Sequence, residues 1–427
     1  MTVLVFVGSL LAAMALGMPL AFSLIVSGVA LMLHLDNFDT QIVSQNLING
    51  ADNFPLMAVP FFMLAGELMN AGGMSRRIVN SAMVWVGHFQ GGLGYVAVFA
   101  AIIMASLSGS AVADTAALAA VLMPMMRDAG YRMDRSAGLI AAGGIIAPVI
   151  PPSIGFILFG VIGGVSISKL FMAGIVPGIL MGLALITTWW IVARKDQVKV
   201  SPRVPFKKRL SVTLDAFWSY LLAILIIGGM KMGVFTPTEA AVVAVVYALL
   251  VGLFIYREIR VSQLYSIVLA AAKTSSVVMF LVAAALVSAW LITVANIPNE
   301  VVGMLEPFLQ HPTLMMVMLM LLVMVVGTAL DFAPTVLILT PVLMPLVKQA
   351  GIDPVYFGVL FIINNAIGLL TPPVGTVLNV VCGVGRIAMH EVIKGVMPFL
   401  MSQVVVMGLL IAFPELVMVP LKWLMMK

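Results

Sequence analysis

Four polar interruptions of apolar stretches hold the residues whose types and spacing could bind a ligand. Two are rich in serine, glycine and threonine (residues 106–110 and 327–334), and two contain paired prolines (residues 148–153 and 371–376). Proline lacks a backbone donor and forbids a continuous helix, so carbonyl groups near each pair lose their helical partners. Unwound carbonyls and hydroxyls suit a hard monovalent cation. The hydroxyls at these places belong to Ser106, Ser108, Ser110, Thr328, Thr371 and Thr376.

Two aspartates, Asp114 and Asp331, lie close to the interruptions that lack paired prolines. A carboxylate at the bilayer centre costs about 2.5–3.5 kcal/mol on insertion scales, so an acid there is a candidate for function. Each aspartate is also a candidate helix cap, and the small residues beside them are candidates for close helix packing. By contrast, the Thr-Pro-Thr-Glu run at 236–239 predicts a capping box, which gives Glu239 a structural role.

Apolar helices must position these interruptions, and a spanning helix needs about 20 apolar residues. The predicted spans are two short helices within 2–34, then 55–72, 169–193, 214–231, 237–256, 274–296 and 396–420. The interrupted stretches 93–126 and 313–347 are predicted to be re-entrant hairpins, and 136–165 and 355–385 to be broken transmembrane helices. Polar and apolar residues mix in 40–51, 76–89 and 259–273, which predicts segments that lie along the membrane interface.

The two halves of the chain match each other at a shift of 221 residues. Pro151-Pro152 aligns with Pro372-Pro373, and Pro177 aligns with Pro398. Each half is predicted to hold five spans, and an odd number turns the second copy upside down. The sequence therefore predicts an all-α integral membrane protein of two inverted-topology repeats, 1–193 and 213–427, joined by a basic linker at 194–212. Inverted repeats with discontinuous helices are typical of secondary transporters.

Composition supports the membrane assignment, because 63% of residues are hydrophobic and 9% are charged. A soluble chain of this kind has about a quarter of its residues charged. The net charge of +5 is concentrated in the basic linker, which indicates a cytoplasmic loop rather than a nucleic-acid site. No arginine falls near the four interruptions, so helix termini, hydroxyls and bound cations would have to meet an anionic substrate. Cys382 is the sole cysteine, which excludes an internal disulfide.

Five motifs resemble the large membrane subunit of tripartite ATP-independent periplasmic (TRAP) transporters. They are residues 54–62 (Phe-Pro-Leu-Met-Ala-Val-Pro-Phe-Phe), 108–115 (Ser-Gly-Ser, then Ala-Asp-Thr), 151–153 (Pro-Pro-Ser), 236–241 (Thr-Pro-Thr-Glu-Ala-Ala) and 371–375 (Thr-Pro-Pro-Val-Gly). The resemblance covers essentially the whole chain, and the motifs stand in the family's order. It implies an elevator-type transporter in the bacterial inner membrane, driven by sodium ions and without a prosthetic group.

The resemblance also implies where ions and substrate bind. One sodium ion would be held by the Ser108-Gly109-Ser110 tip with Val149 and Pro151, and a symmetry-related one by Gly327, Thr328, Thr371 and Pro373. The Ser106 hydroxyl is a further candidate sodium ligand from its place in the first interruption. The substrate would lie between the two tips, with candidate contacts from Ser110, Asp114, Thr115, Ser153, Asp331 and Thr376. The expected partners are a separate small membrane subunit, a periplasmic substrate-binding protein and membrane lipid.

The resulting functional prediction is sodium-coupled uptake of a small organic acid delivered by a periplasmic binding protein. Within the family the whole chain leans toward the sialic acid branch, and C4-dicarboxylates remain open. Two alternative interpretations of the sequence as a transport protein are a stand-alone sodium/carboxylate symporter and a channel. The enzyme alternative is an intramembrane aspartyl protease, which also needs two membrane aspartates. Its Gly-x-Gly-Asp pattern is missing, because Thr328-Ala329-Leu330 precedes Asp331 and Ala111-Val112-Ala113 precedes Asp114.

Overall fold

The computed structural model describes residues 2–194, 202–296, 303, 308, 311–372 and 374–425. Within these ranges the chain is helical, with no strand. The linker residues 195–201 and the predicted sodium ligand Pro373 lie outside the described residues. The helices of the first half are α1 (Thr2–Ala15), α2 (Leu20–His34), α3 (Thr40–Ala51), α4 (Ala58–Ala71), α5 (Met74–Val86), α6 (Gly92–Ser108), α7 (Ala111–Asp128), α8 (Met133–Gly144), α9 (Ile154–Gly163) and α10 (Ile167–Ala193).

The second half of the chain follows the linker. Its helices are α11 (Phe206–Asp215), α12 (Phe217–Lys231), α13 (Pro237–Leu250), α14 (Val261–Val294), α15 (Pro312–Ala329), α16 (Phe332–Gln349), α17 (Pro354–Gly368), α18 (Thr376–Gly385), α19 (Met389–Ala412) and α20 (Glu415–Met425). A 3₁₀ turn at Phe54–Met57 precedes α4, and a π turn at Val251–Ile255 extends α13.

Six of these helices are long and apolar enough to span a membrane by length and composition, within the described part of the chain. They are Phe54–Ala71 (with the 3₁₀ turn), Ile167–Ala193, Pro237–Ile255, Val261–Val294, Phe332–Gln349 and Met389–Ala412. The bent pair α11 and α12, which meet at 55°, makes a seventh if counted as one span. Shorter apolar helices, including α1, α2, α6 and α9, account for the rest of the apolar sequence.

Three element boundaries differ from the predicted ones. The predicted interfacial segment 259–273 and the predicted span 274–296 fall in one continuous helix, α14 (Val261–Val294), because no proline or glycine separates them. The span predicted at 396–420 ends at Ala412, since Pro414 cannot continue the helix, and α20 follows it. The basic linker predicted at 194–212 runs into α11, which begins at Phe206 and packs on α5.

Matched helices in the two halves make matched contacts. In the first half α6 and α7 both pack on α8, and in the second half α15 and α16 both pack on α17. The halves are also interlocked, because α7 packs on α18 of the other half and α16 packs on α9. At the first of these contacts, Arg127 Nη2 donates to the Gly385 carbonyl at 2.6 Å and so satisfies the end of α18.

Glycine permits a close helix crossing between the halves, where α8 meets α19. A Cβ on Gly138 would lie 2.5 Å from the Gly395 carbonyl carbon, and one on Gly395 would collide with the Asp134 carbonyl. Aromatic rings fill the neighbouring core, where Phe159 of α9 lies 6.0 and 5.6 Å from Phe357 and Phe361 of α17. Small residues at helix contacts are what membrane helices use to approach closely.

Candidate functional site

The first tip joins α6 and α7 through Gly109 and Ser110. Gly109 adopts φ +63°, a left-handed conformation that ends α6 and favours glycine. Ser110 then caps α7, because its Oγ accepts a hydrogen bond from the Ala113 amide at 3.4 Å. The Ser110 amide in turn donates a hydrogen bond to the Ser108 hydroxyl oxygen at 3.2 Å. The serine hydroxyls thus hold the tip in place and face its backbone.

The first paired-proline break lies against this tip. Helix α8 ends at Gly144 and α9 begins at Ile154, so residues 145–153 are unwound. A Cβ on Gly109 would collide with the Pro152 carbonyl oxygen and lie 3.2 Å from Ser153 Cα. Ser153 caps α9 by accepting from the Phe156 amide at 3.1 Å, and its hydroxyl donates to the Pro148 carbonyl. Ser153 therefore serves the local backbone, in addition to its predicted substrate role.

Asp114 is buried directly behind the first tip. Its Oδ1 accepts a short hydrogen bond from the Ser108 hydroxyl at 2.5 Å, while its Oδ2 is buried without a partner. Thr115 beside it is fully buried, and its hydroxyl, which lies against Gly144 of α8, also lacks a partner. A buried carboxylate is stable only when paired with a cation or neutralised. Carboxylate and hydroxyl oxygens of this kind are ligands that hard cations accept.

The second tip joins α15 and α16 through Leu330 and Asp331. Asp331 occupies the cap position of α16, but its side chain makes no cap hydrogen bond. Its Oδ1 instead accepts from the Thr376 hydroxyl at 3.2 Å, which links the tip to the first residue of α18 beyond the second break. The structure thus brings together the two predicted substrate residues of the second half.

Asn365 on α17 is a site residue that the sequence interpretation missed. Its amide donates to the Phe332 carbonyl at 2.7 Å, while its Oδ1 is buried without a partner. The same oxygen lies 3.3 Å from where a Cβ on Gly327 would stand. The available signal was the Asn-Asn pair at 364–365 in an apolar helix, because a buried amide there is costly unless it is satisfied.

The remaining predicted sodium ligands have their hydroxyls bonded to their own helices. Ser106 donates to Ile103 at 2.6 Å, Thr328 to Val325 at 2.7 Å and Thr371 to Ile367 at 3.1 Å, all backbone carbonyls. Each hydroxyl oxygen keeps a lone pair free for a cation. The Val149 carbonyl lies against Gly174 of α10, and the Pro152 carbonyl lies against Gly109 of the first tip.

The two tips reach the same region. Phe332, the residue after Asp331, lies against Gly155 at the start of α9, where a Cβ would be 2.6 Å from the phenyl ring. Gly155 is three residues beyond Pro152, which contacts the first tip. Four helices, α7, α9, α16 and α18, begin at the tips and breaks. The partial positive charge at helix starts favours an anion, and the unpaired oxygens beside them favour a cation.

A small cavity borders the first tip on the side of α4 and α14. Its lining includes Glu67 and Asn70 of α4, Ser108 and Ser110 of the tip, and Thr274 of α14. Glu67 is exposed and lines this cavity. The sequence signal for it is an acid within the predicted span 55–72, near the end of that span. Among the described residues no group of three or more His, Cys, Asp or Glu side chains is placed to hold a metal ion.

Sequence comparison decides the family. Residues 7–416 match the tripartite ATP-independent periplasmic transporter, DctM component. The chain belongs to this family. The 2,3-diketo-L-gulonate TRAP transporter large permease protein YiaN of Escherichia coli is 54% identical over 99% of this chain and 100% of its own length. The sialic acid large permease SiaM of Vibrio cholerae is 37% identical over 93% of each chain. The C4-dicarboxylate large permease DctM of Pseudomonas aeruginosa is 34% identical over 94% of each chain.

Membership of the DctM family confirms three predictions. The chain is a large permease subunit, a multi-pass protein of the bacterial inner membrane, and a transporter rather than an enzyme, which excludes the aspartyl protease. The solved YdaH transporter of Alcanivorax borkumensis has a similar fold, with a TM-score of 0.61 at 14% identity over 89% of this chain and 88% of that one. At that identity the likeness concerns the fold alone.

Proposed function

We propose that this DctM-family chain carries out sodium-coupled uptake of a small organic acid, delivered by a periplasmic binding protein. The observation that carries the proposal is the meeting of both tips at the first break, with unpaired buried oxygens around them. Among the described residues, six buried side-chain polar atoms lack a hydrogen-bond partner, and three of them, on Asp114, Thr115 and Asn365, lie at the tips. Such oxygens beside helix starts suit a cation and an anion bound together.

Side-chain contacts support the proposal that the first hairpin is re-entrant from the side of the basic linker. Leu93 at the start of α6 donates its amide to the hydroxyl of Tyr131, which follows α7, at 3.3 Å. Tyr131 stacks on Trp189 near the linker end of α10, with ring centroids 6.2 Å apart. Both ends of the hairpin therefore meet beside the linker, while its tip lies at the proline break.

The second hairpin has its open end beside the far end of α19. Thr313, at the start of α15, shares a pocket with Ile411 and Ala412, and Tyr356 at the start of α17 donates to the Leu410 carbonyl at 2.8 Å. The other end of α19 follows Gly385, which Arg127 of the first hairpin contacts. These contacts support opposite entry sides for the two hairpins, and hence the inverted repeat and an elevator-type movement.

We assign the two groups of unpaired oxygens to the coupling ions. The first group is Asp114 and Thr115 with the Ser108 and Ser110 tip, and the second is Asn365 with the Gly327 and Thr328 end of α15. Bound sodium would neutralise the buried Asp114 carboxylate and present positive charge toward the substrate between the tips. The chain supplies helix starts and the Thr376–Asp331 pair to orient that substrate. The absence of arginine near the breaks makes substrate binding depend on the ions.

The relatives narrow the substrate class. The relative named for 2,3-diketo-L-gulonate is 54% identical, whereas those named for sialic acid and C4-dicarboxylate are 37% and 34% identical. We therefore infer a sugar-derived carboxylic acid of the diketogulonate type, ahead of the sialic acid that the sequence alone favoured. By family analogy, the partners are a small membrane subunit and a periplasmic binding protein.

The proposal is tested by uptake into proteoliposomes that contain this chain and its small membrane subunit. We expect uptake of 2,3-diketo-L-gulonate only with an inward sodium gradient and with the binding protein present. A potassium gradient of equal size and an unrelated binding protein serve as controls. Uptake without any binding protein would favour a stand-alone symporter, and uptake that ignores the sodium gradient would contradict the coupling.

A further inference from the structure

A second cavity lies away from the tips, between α3 and α14 on one side and α9 and α16 on the other. It has a volume of about 580 Å³, within the range of small-molecule sites. Its lining includes Asn46, Asn49, Trp290, Thr293 and Lys348. No acid is among the described residues that line it. Neither the predicted substrate site nor the predicted sodium sites use any of these five side chains.

Three hydrogen-bond donors in this cavity have no partner among the described residues of the chain. They are the Lys348 ammonium, the Asn49 amide and the Trp290 indole N–H, whereas Asn46 and Thr293 bond carbonyls of their own helices. Carboxylate and hydroxyl oxygens accept hydrogen bonds from all three types of donor. A single positive charge without a neighbouring acid also attracts an anion into the cavity.

Lys348 differs from the aligned residue of the first half, because it does not cap the end of a helix. Arg127 corresponds to Lys348 at the shift of 221 residues, and it binds the carbonyl of Gly385 at the end of α18. The corresponding end of α9 lies at Gly163 and Gly164, and Gly163 lines the cavity with Lys348. Lys348 makes no equivalent bond there. Its charge is therefore free to meet a ligand.

The cavity opens on the side opposite the basic linker. Gly163 stands just before α10, whose 27 residues run from Ile167 to Ala193, next to the linker. A helix of that length crosses the membrane. With the linker in the cytoplasm, the cavity faces the periplasm. It also lies between α14 and the hairpin arm α16, which pack together.

We propose that this cavity is a periplasmic receiving site, where the carboxylate of the organic acid pairs with Lys348 before it reaches the tips. The inference rests on the proposed function and adds a binding site to it. Asn49 and Trp290 hold the hydroxyl or keto oxygens of a sugar acid, and Lys348 holds its carboxylate. Because α16 belongs to the second hairpin, movement of that hairpin changes the cavity and passes the acid inward.

Uptake by variants tests the role of Lys348. We expect Lys348→Gln to raise the substrate concentration for half-maximal uptake roughly tenfold, the loss of one charged hydrogen bond. The sodium concentration for half-maximal uptake stays unchanged, and Lys348→Arg restores most of the affinity. The matched control is Lys169→Gln, an exposed lysine near the start of α10 on the same face, outside the cavity. Equal effects at the two lysines would overturn the proposal.

A labelling experiment tests binding separately from transport. The variant Asn49→Cys also carries Cys382→Ser, so that it has a single cysteine. It is labelled with a membrane-impermeant maleimide in the assembled transporter. We expect 2,3-diketo-L-gulonate to slow labelling at position 49, and not at a control cysteine at His311. Failure of uptake with protection intact would count against the proposed function alone. No protection by the acid, or protection by phosphatidylglycerol vesicles only, would overturn the receiving site.

Discussion

At the scale of single residues, buried oxygen atoms without a hydrogen-bond partner lie beside the two tips, on Asp114, Thr115 and Asn365. Asp114 uses one carboxylate oxygen for the Ser108 hydroxyl and leaves the other buried and free. Asn365 does the same with its amide, whose nitrogen is bonded and whose oxygen is not. Leaving a buried polar atom without a partner costs about 1–3 kcal/mol. Such a cost is expected where a ligand completes the bonding.

The substitution Asp114→Asn tests whether the Asp114 carboxylate contributes to sodium binding. The amide oxygen keeps the bond from Ser108, while the negative charge is lost. We expect the sodium concentration for half-maximal uptake to rise roughly tenfold or more, because a charged contact contributes about 1.5–3 kcal/mol. The control is Asp128→Asn, on the same helix but exposed in the last turn. Unchanged sodium dependence with weaker substrate affinity would move Asp114 into the substrate site.

At the scale of elements, one of the close crossings between the interlocked halves joins α8 and α19. Helices α8 and α19 approach so closely that neither Gly138 nor Gly395 has room for a Cβ. The carbonyl groups of one helix lie against the backbone of the other at this point. Helix α19 also follows α18, whose end Arg127 contacts, so this crossing and the Arg127 contact lie on neighbouring helices.

The pair Gly395→Ala and Gly408→Ala tests that crossing on a single helix. A methyl group at 395 meets the Asp134 carbonyl, whereas a methyl group at 408 meets nothing within 4 Å. We expect Gly395→Ala to lower the free energy of unfolding by about 1–3 kcal/mol, as overpacking does. Gly408→Ala is expected to raise it slightly, since alanine favours helix. Thermal unfolding of the purified subunit measures both, and equal shifts would contradict the crossing.

Much of the order of the helices could be predicted from the positions of proline and glycine in the sequence. The breaks at 148–153 and 371–376, the turn after α1 and the capping box at Thr236 and Glu239 follow from local backbone chemistry. The continuity of α14 was not predicted, because the mixed polar and apolar residues 259–273 were interpreted as a separate interfacial segment, although no proline or glycine divides them from the span that follows. The hydrogen-bond partner of each hydroxyl was not predictable either, because a serine that bonds its own helix and a serine that binds a ligand occur in the same sequence pattern. Asn365 became a candidate only once its burial was known.

At the scale of the whole molecule, the proposed transport mechanism requires two hairpins that enter the membrane from opposite faces. The contacts of Tyr131 with Leu93 and Trp189 place the open end of the first hairpin beside the basic linker. The contact of Tyr356 with Leu410 places the start of α17 at the other end of α19. Opposite entry is what allows a shared pocket between the tips to face each side of the membrane in turn. Ion sites and substrate pathway both depend on it.

The most direct test of this arrangement is cysteine accessibility at the open ends of the two hairpins. In a chain with Cys382→Ser, single cysteines replace Gln90, before α6, and His311, before α15; both positions are exposed. A membrane-impermeant maleimide is then added to the periplasmic face of the inner membrane. If the two hairpins enter from opposite faces, position 311 is labelled at once and position 90 only after the membrane is permeabilised. Labelling of both positions from the same face would contradict the inverted halves and the transport mechanism built on them.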